Sequence, residues 1–254
     1  MNYLISEKSK ILSLLLQHVE LTIIAIVLAI IIGIPLGIFI AHCKSLRKYV
    51  LGFINIVQAV PSMAFLGLLV PVLGIGSTPA IFMVVLYSLL PIVKNTSTGI
   101  TGIDSGILES ATGIGLTPRQ ILFKIQLPLA LPIIMAGVRI SAVSAVGLMT
   151  LSALVGAGGL GYLVFSGVQT VNNTMILAGA IPACILALCV DFVFSKIEVV
   201  AIPDGISTSK SKRSRHAKNP KEYRDPKYKA RRRKVIGVAT ALVIIFIGCG
   251  RYFF

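Results

Sequence analysis

Tryptophan is absent, acidic residues number 9 in 254, and charged residues of both signs make up only 13% of the chain. A soluble domain carries about a quarter of its residues as charges. With 56% hydrophobic residues as well, the composition excludes both a soluble globule and a disordered chain. No Gly-Lys dipeptide occurs, which excludes a Walker A loop, so the chain cannot itself hydrolyse ATP through one. No His-Glu-x-x-His run is present either. The four cysteines, Cys43, Cys184, Cys189 and Cys249, form no Cys-x-x-Cys pair and have no histidine at ligand spacing. They read as small packing hydrophobes, and no metal is expected.

What is present is apolar sequence in long blocks. A helix crossing the hydrocarbon needs about 20 mostly apolar residues. Leu21 to Cys43 supplies one such block. Tyr49 to Val93 is double length and is broken by Pro71 to Pro79, giving two more. A fourth starts near Pro132 and a fifth ends near Lys196, with the break at Gly156-Ala157-Gly158-Gly159-Leu160-Gly161 and Asn172-Asn173-Thr174. Val235 to Gly250 is a sixth. The expected fold is therefore all-α, a polytopic membrane bundle of five core spans plus a sixth carboxyl-terminal span. The expected organisation is a membrane domain over 1–200, a basic linker over 201–234 and a terminal span over 235–254. Met1 to Glu20 is more mixed; Leu12, Leu15, Leu16 and Val19 recur at helical spacing and suggest a segment lying along the interface.

Positive charge is unevenly placed. Of 24 Lys and Arg, 13 lie between Ala201 and Lys234. Lys44, Arg47 and Lys48 fall in the first loop, and Arg119 and Lys124 in the third. The second and fourth loops carry none. Charge in short loops sets topology, so the first, third and fifth loops are expected inside and both chain ends outside. The basic segment reads as a topology determinant or a contact for anionic lipid, worth about 1 kcal/mol per cation near the leaflet. Screening at such a surface depends on salt, so sensing of ionic strength is a further possibility within the lipid reading. Only Tyr223 and Tyr228 interleave with these cations, too few aromatics for a nucleic-acid partner.

The third loop, Gly102 to Pro128, is the most informative. It reads Glu-x-Ala-x3-Gly-x9-Ile-x-Leu-Pro from Glu109 to Pro128. Gly115 breaks a short helix and permits a tight reversal. Thr117 and Pro118 supply a cap and first turn for a second helix, and Pro128 is expected to end it. The result is a helix-turn-helix knob between spans three and four. A knob rooted in two spans can pass force from a soluble partner into the membrane.

This pattern resembles the EAA loop of ABC importer permeases, with Ser110 standing where alanine is usual. The resemblance implies that Glu109, Ala111, Gly113, Gly115, Leu116, Thr117 and Pro118 couple the chain to an ATP-binding subunit, where ATP and Mg reside. Gln58-Ala59-Val60-Pro61-Ser62, Leu89 to Thr96 and Val155 to Gly161 resemble permeases for glycine betaine, carnitine and choline, within the methionine-importer-like fold. That resemblance covers residues 15 to 200. It implies a bacterial inner-membrane importer working by alternating access, with a second permease copy or close homologue and an extracytoplasmic substrate-binding protein or fused domain. A permease for another small solute is the nearest alternative. A channel or membrane scaffold is the alternative of another class, and neither needs the knob.

Other residues carry narrower expectations. Gln58, Ser62, Ser88, Ser141, Ser144 and Thr150 are candidates to line a pathway, against the alternative that they glue helices together. With no tryptophan and 7 tyrosines, an aromatic cage for an organic cation fits the binding protein better than this chain. Arg139 and Asp191 both fall inside spans, where an unpaired charge is costly, and are expected to pair; Arg139 reaching to lipid phosphate is the competing outcome. Gly156, Gly158, Gly159 and Gly161 match the dinucleotide fingerprint, but a membrane helix precedes them in place of a strand. They read instead as an outer-gate hinge or as backbone open to a binding protein. Arg231 to Lys234, the apolar run and Gly248-Cys249 have a signal-like layout. A sixth span ending outside suggests a tether to a downstream binding domain, held at a local concentration on the order of mM.

Overall fold

The computed structural model of the chain describes residues 7–201. Helix α1 (Lys8–His42) is followed by α2 (Lys44–Ala59) and α3 (Ser62–Leu73), then by α4 (Ser77–Thr101), the short α5 (Ser105–Gly113) and α6 (Pro118–Ile121). A π-helical turn, Leu122–Gln126, leads into α7 (Leu127–Thr150), and a 3₁₀ turn, Leu151–Val155, into α8 (Gly161–Gln169) and α9 (Asn173–Ala201). No strand occurs among the described residues. Four helices are long and apolar enough to cross a membrane, and a fifth crossing exists if the bent pair α2–α3 counts as one. The proposed sixth span and the basic linker lie outside the described residues. The residues up to Phe194 form one compact unit; Ser195–Phe254 form a second, of which the last turns of α9 are described.

Three expectations from sequence are corrected. First, the amino-terminal segment is not a separate interfacial helix. It is the first part of α1, which runs 35 residues without a break, about 52 Å at 1.5 Å per residue. Lys8 to Glu20 holds no Gly or Pro to stop it, and the buried stripe of α1 begins at His18 and runs through Leu21, Thr22, Ala25, Ile26, Ala29, Gly33, Gly37 and Ile40. Leu12 and Leu16 are exposed. Second, the second apolar block is not straight: α2 and α3 meet at 98°. Pro61 removes a helical donor and pushes Val60 to an extended ψ of 132°. Third, Pro128 does not end a helix. Leu127 N donates to Leu122 O in the π turn, and the chain continues into α7 with Pro128 in its first turn. The wider turn accommodates a proline that cannot donate to Lys124 O.

The core is α1, α4 and α7, held at short range by small residues. A Cβ on Gly33 would stand 2.8 Å from Ile92 Cγ2, one on Gly37 2.5 Å from Thr96 Cβ, and one on Gly137 2.7 Å from Pro91 O. In lipid such close backbone approach, not water exclusion, holds helices together. Leu21, Ala25, Ala29, Met83, Val84, Ile92, Val138, Ala142 and Met149 fill the space between them. Gly37→Val should therefore force α1 and α4 apart, at the cost of about 1–3 kcal/mol typical of overpacking. A lowered melting temperature of the purified protein in detergent is expected. Gly52→Ala and Gly67→Ala, whose added Cβ meets nothing within 4 Å, should leave it unchanged.

Candidate functional site: a projecting knob, a clamped helix break and a glycine loop

The knob is built by local chemistry. Asp104 caps α5 by accepting from Gly106 N at 2.8 Å. The helix ends in a Schellman arrangement: Leu116 N donates to Ala111 O and Gly115 N to Thr112 O, with Gly115 at φ +84°. Only glycine takes that conformation without strain. Two residues later Thr117 and Gln120 form a capping box, Gln120 N to Thr117 Oγ1 at 3.4 Å and Thr117 N to Gln120 Oε1 at 2.9 Å. Pro118 stands in the first turn of α6. Of the expected coupling residues only Ala111 is buried; Glu109, Gly113, Gly115, Thr117 and Pro118 are exposed and Leu116 is half-buried. Ile114 at the tip is 78% exposed, an apolar residue offered outward from a fixed turn.

At the break between α2 and α3, Gln58 Nε2 donates to Tyr87 O at 2.6 Å. The Tyr87 hydroxyl donates to Val60 O, the carbonyl next to Pro61. Tyr87 also meets Phe65 edge to face, with ring centroids 5.9 Å apart. The two reciprocal bonds clamp the break to the middle of α4. Tyr87 was not legible in the sequence, where it is one aromatic in an apolar run.

The glycine loop joins α7 to α8. Gly156, Gly158 and Gly159 have φ of +74°, +79° and +72°. Gly76 N donates to Val155 O at 2.7 Å, tying in the α3–α4 turn. Gly161 packs on α7 so tightly that a Cβ there would lie 1.9 Å from Thr150 O. Gln17 and His18 of α1 hold the loop from the other side, and neither was singled out from sequence. The stretch that follows, expected as loop to about residue 173, contains α8.

Arg139 and Asp191 meet as a two-pronged ion pair between α7 and α9: Nε to Oδ1 at 2.7 Å and Nη2 to Oδ2 at 2.8 Å. The planar guanidinium matches the carboxylate in this geometry. The pathway candidates separate. Ser88 and Ser141 are buried between α4 and α7, with Ser141 Oγ donating to Ser88 O at 2.8 Å. They bind helix to helix in this chain and do not line an open surface. Gln58 is spent on the break, and Thr150 Oγ1 bonds back to Gly147 O at 2.6 Å. Ser62 is half-buried at the start of α3, and Ser144 is exposed on α7.

The described residues thus form a helical bundle with a capped knob between α4 and α7. Residues 33–198 match the family described as binding-protein-dependent transport system inner membrane component, and the chain belongs to that family. It is 42% identical over 194 residues to the glycine betaine/carnitine/choline transport system permease protein OpuCB of Bacillus subtilis (strain 168), covering 76% of this chain and 89% of that one. It is 40% identical over 210 residues to the osmoprotectant import permease protein OsmW of Salmonella typhimurium, covering 81% and 98%. Among solved structures, the inward-facing MetNI methionine ABC transporter superposes with a TM-score of 0.67 over 74% of this chain and 94% of that one, at 23% identity. That likeness bears on the fold. The chain is thus an ABC importer permease subunit, a multi-pass membrane component and not an enzyme. Its partner classes are an ATP-binding subunit and a substrate-binding protein.

Proposed function

We propose that this permease serves an importer for osmoprotectant-type quaternary amines, moved by alternating access. The support is the 39–42% identity to choline, carnitine and glycine betaine permeases, joined to a knob whose turn is fixed by Gly115 and the Thr117–Gln120 box. In this reading α1, the bent pair, α4, α7 and α9 are five core spans, and residues 235–254 a sixth. The cations of alternate loops put the knob and the basic segment inside and the glycine loop and both chain ends outside. Glu109, Ala111, Gly113, Gly115, Leu116, Thr117 and Pro118 meet the ATP-binding subunit, which holds ATP and Mg. Two permease chains, identical or closely related, form the pathway, with Ser62 and Ser144 the lining candidates still accessible. The basic linker contacts anionic lipid.

The test is reconstitution with the ATP-binding subunit and binding protein in proteoliposomes. ATP-dependent uptake of labelled glycine betaine, carnitine or choline is expected, with none of methionine. Uptake of methionine alone would replace the solute class. No ATP-binding subunit co-purifying with the unmodified chain would overturn the importer architecture proposed here.

A further inference from the structure

The amide of Gln17 reads both edges of the glycine loop. Gly159 N donates to Gln17 Oε1 at 3.0 Å, and Gln17 Nε2 donates to Ala157 O at 3.1 Å. The loop is shaped for this contact. A Cβ on Gly158 would stand 2.3 Å from Gln17 Oε1, and one on Gly159 3.1 Å from His18 Nδ1. One residue on, His18 is fully buried, with Nε2 3.1 Å from Val146 O of α7. Thr22 Oγ1 donates to His18 O at 2.7 Å. Lys10 lies over the ring of Tyr162 in α8, 5.6 Å from its centroid. The loop is therefore bound to α1 by side-chain hydrogen bonds.

At its other end α1 touches the roots of the knob. Ile34, Ile38 and Ala41, together with Leu127, pack against Ile100, Ala130 and Ile134. Ile100 is in the last turn of α4 before the knob, and Leu127 is the first residue of α7 after it. From Gln17 to Ile38 is 21 residues of continuous helix with Pro35 inside it, about 32 Å. Coupling between distant sites can travel through a contiguous element of this kind when it is attached at both ends.

We propose that Gln17 is a positioning residue for transport: it fixes the glycine loop to α1, so that docking of the binding protein at the exposed edge of the loop, Leu154 and Gly156, is passed along α1 to the roots of the coupling knob. This deepens the proposed function and rests on its reading of the glycine loop as the extracytoplasmic face. His18 sets the depth at which α1 meets α7, and Gln17 carries the loop with it. The absence of a side chain at 158 is what lets the amide reach both backbone edges, and its absence at 159 leaves room for His18.

The experiment uses the full permease with its ATP-binding subunit in lipid nanodiscs. ATP hydrolysis is measured alone and with binding protein loaded with glycine betaine. Gln17→Met keeps the length of the side chain and removes both bonds. It should leave basal hydrolysis near that of the unmodified complex and lower the stimulation by loaded binding protein roughly tenfold, within the range of couplings between distant sites. Hydrogen exchange at the Gly159 amide should rise in parallel. Gln17→Glu keeps the acceptor for Gly159 N, loses the donor to Ala157 O, and should fall between the two. A purely structural role would lower basal and stimulated hydrolysis together and with them the melting temperature. Full stimulation in Gln17→Met, or failure of both variants to assemble, overturns the proposal. An unmodified complex that shows no stimulation at all overturns the proposed function instead.

Discussion

Gly115→Trp should reduce transport to background while the complex still assembles and hydrolyses ATP. Two effects combine. At φ +84° any L residue costs about 1–2 kcal/mol more than glycine, so the turn itself loosens. A Cβ at this position meets nothing within 4 Å inside the chain, so the indole does not disrupt packing of the bundle. It projects from the knob beside Ile114, onto the face proposed to meet the ATP-binding subunit. Gly115→Ala separates the two effects, because it carries the backbone cost with almost no added bulk. Its transport should fall severalfold, not vanish. Uptake and hydrolysis measured on the same proteoliposomes decide the matter. Normal uptake by the tryptophan variant would remove the knob from the coupling mechanism.

Asp191→Ala should lower the amount of folded protein sharply. It takes away both oxygens to which Arg139 Nε and Nη2 donate and removes the counter-charge of a guanidinium on a membrane helix, where an ion is costly. Both side chains are partly accessible, 33% and 42%, which reduces the loss to the extent that water reaches them. The informative measurement is therefore a cycle. Arg139→Ala with Asp191→Ala should lose less stability than the sum of the two single changes. Additive single effects would show that the pair contributes nothing beyond its two members.

The parts of the site that were legible in sequence are those built by neighbours in the chain. Gly115, Thr117 and Pro118 act on backbone groups within one or two turns of themselves, and their capping chemistry has a fixed spacing. The ion pair was legible for another reason: lipid leaves a buried charge few options. The break at Pro61 was not, because Ile54 to Val72 is apolar on both sides of it and hydropathy is blind to direction. The continuity of α1 was hidden by the polar residues Gln17, His18 and Glu20. Two of these have partners far along the chain, Ala157 and Gly159 for Gln17 and Val146 for His18. A polar residue near a span end looks the same whether it meets water or a backbone 140 residues away. The π turn before Pro128 was missed because proline reads as a stop, whereas here one wider turn lets the helix pass through it.

The bent pair α2–α3 has a consequence for how the chain is made. Helix α3 has 12 residues, about 18 Å, and cannot cross a hydrocarbon layer of about 30 Å by itself. At the bend, the Val60 carbonyl has no helical partner and is satisfied by the hydroxyl of Tyr87, 27 residues later. Lipid offers no substitute for that donor. During synthesis, a bent pair inserted ahead of α4 would leave that carbonyl unpaired in lipid, so α2, α3 and α4 are expected to enter the membrane as a group.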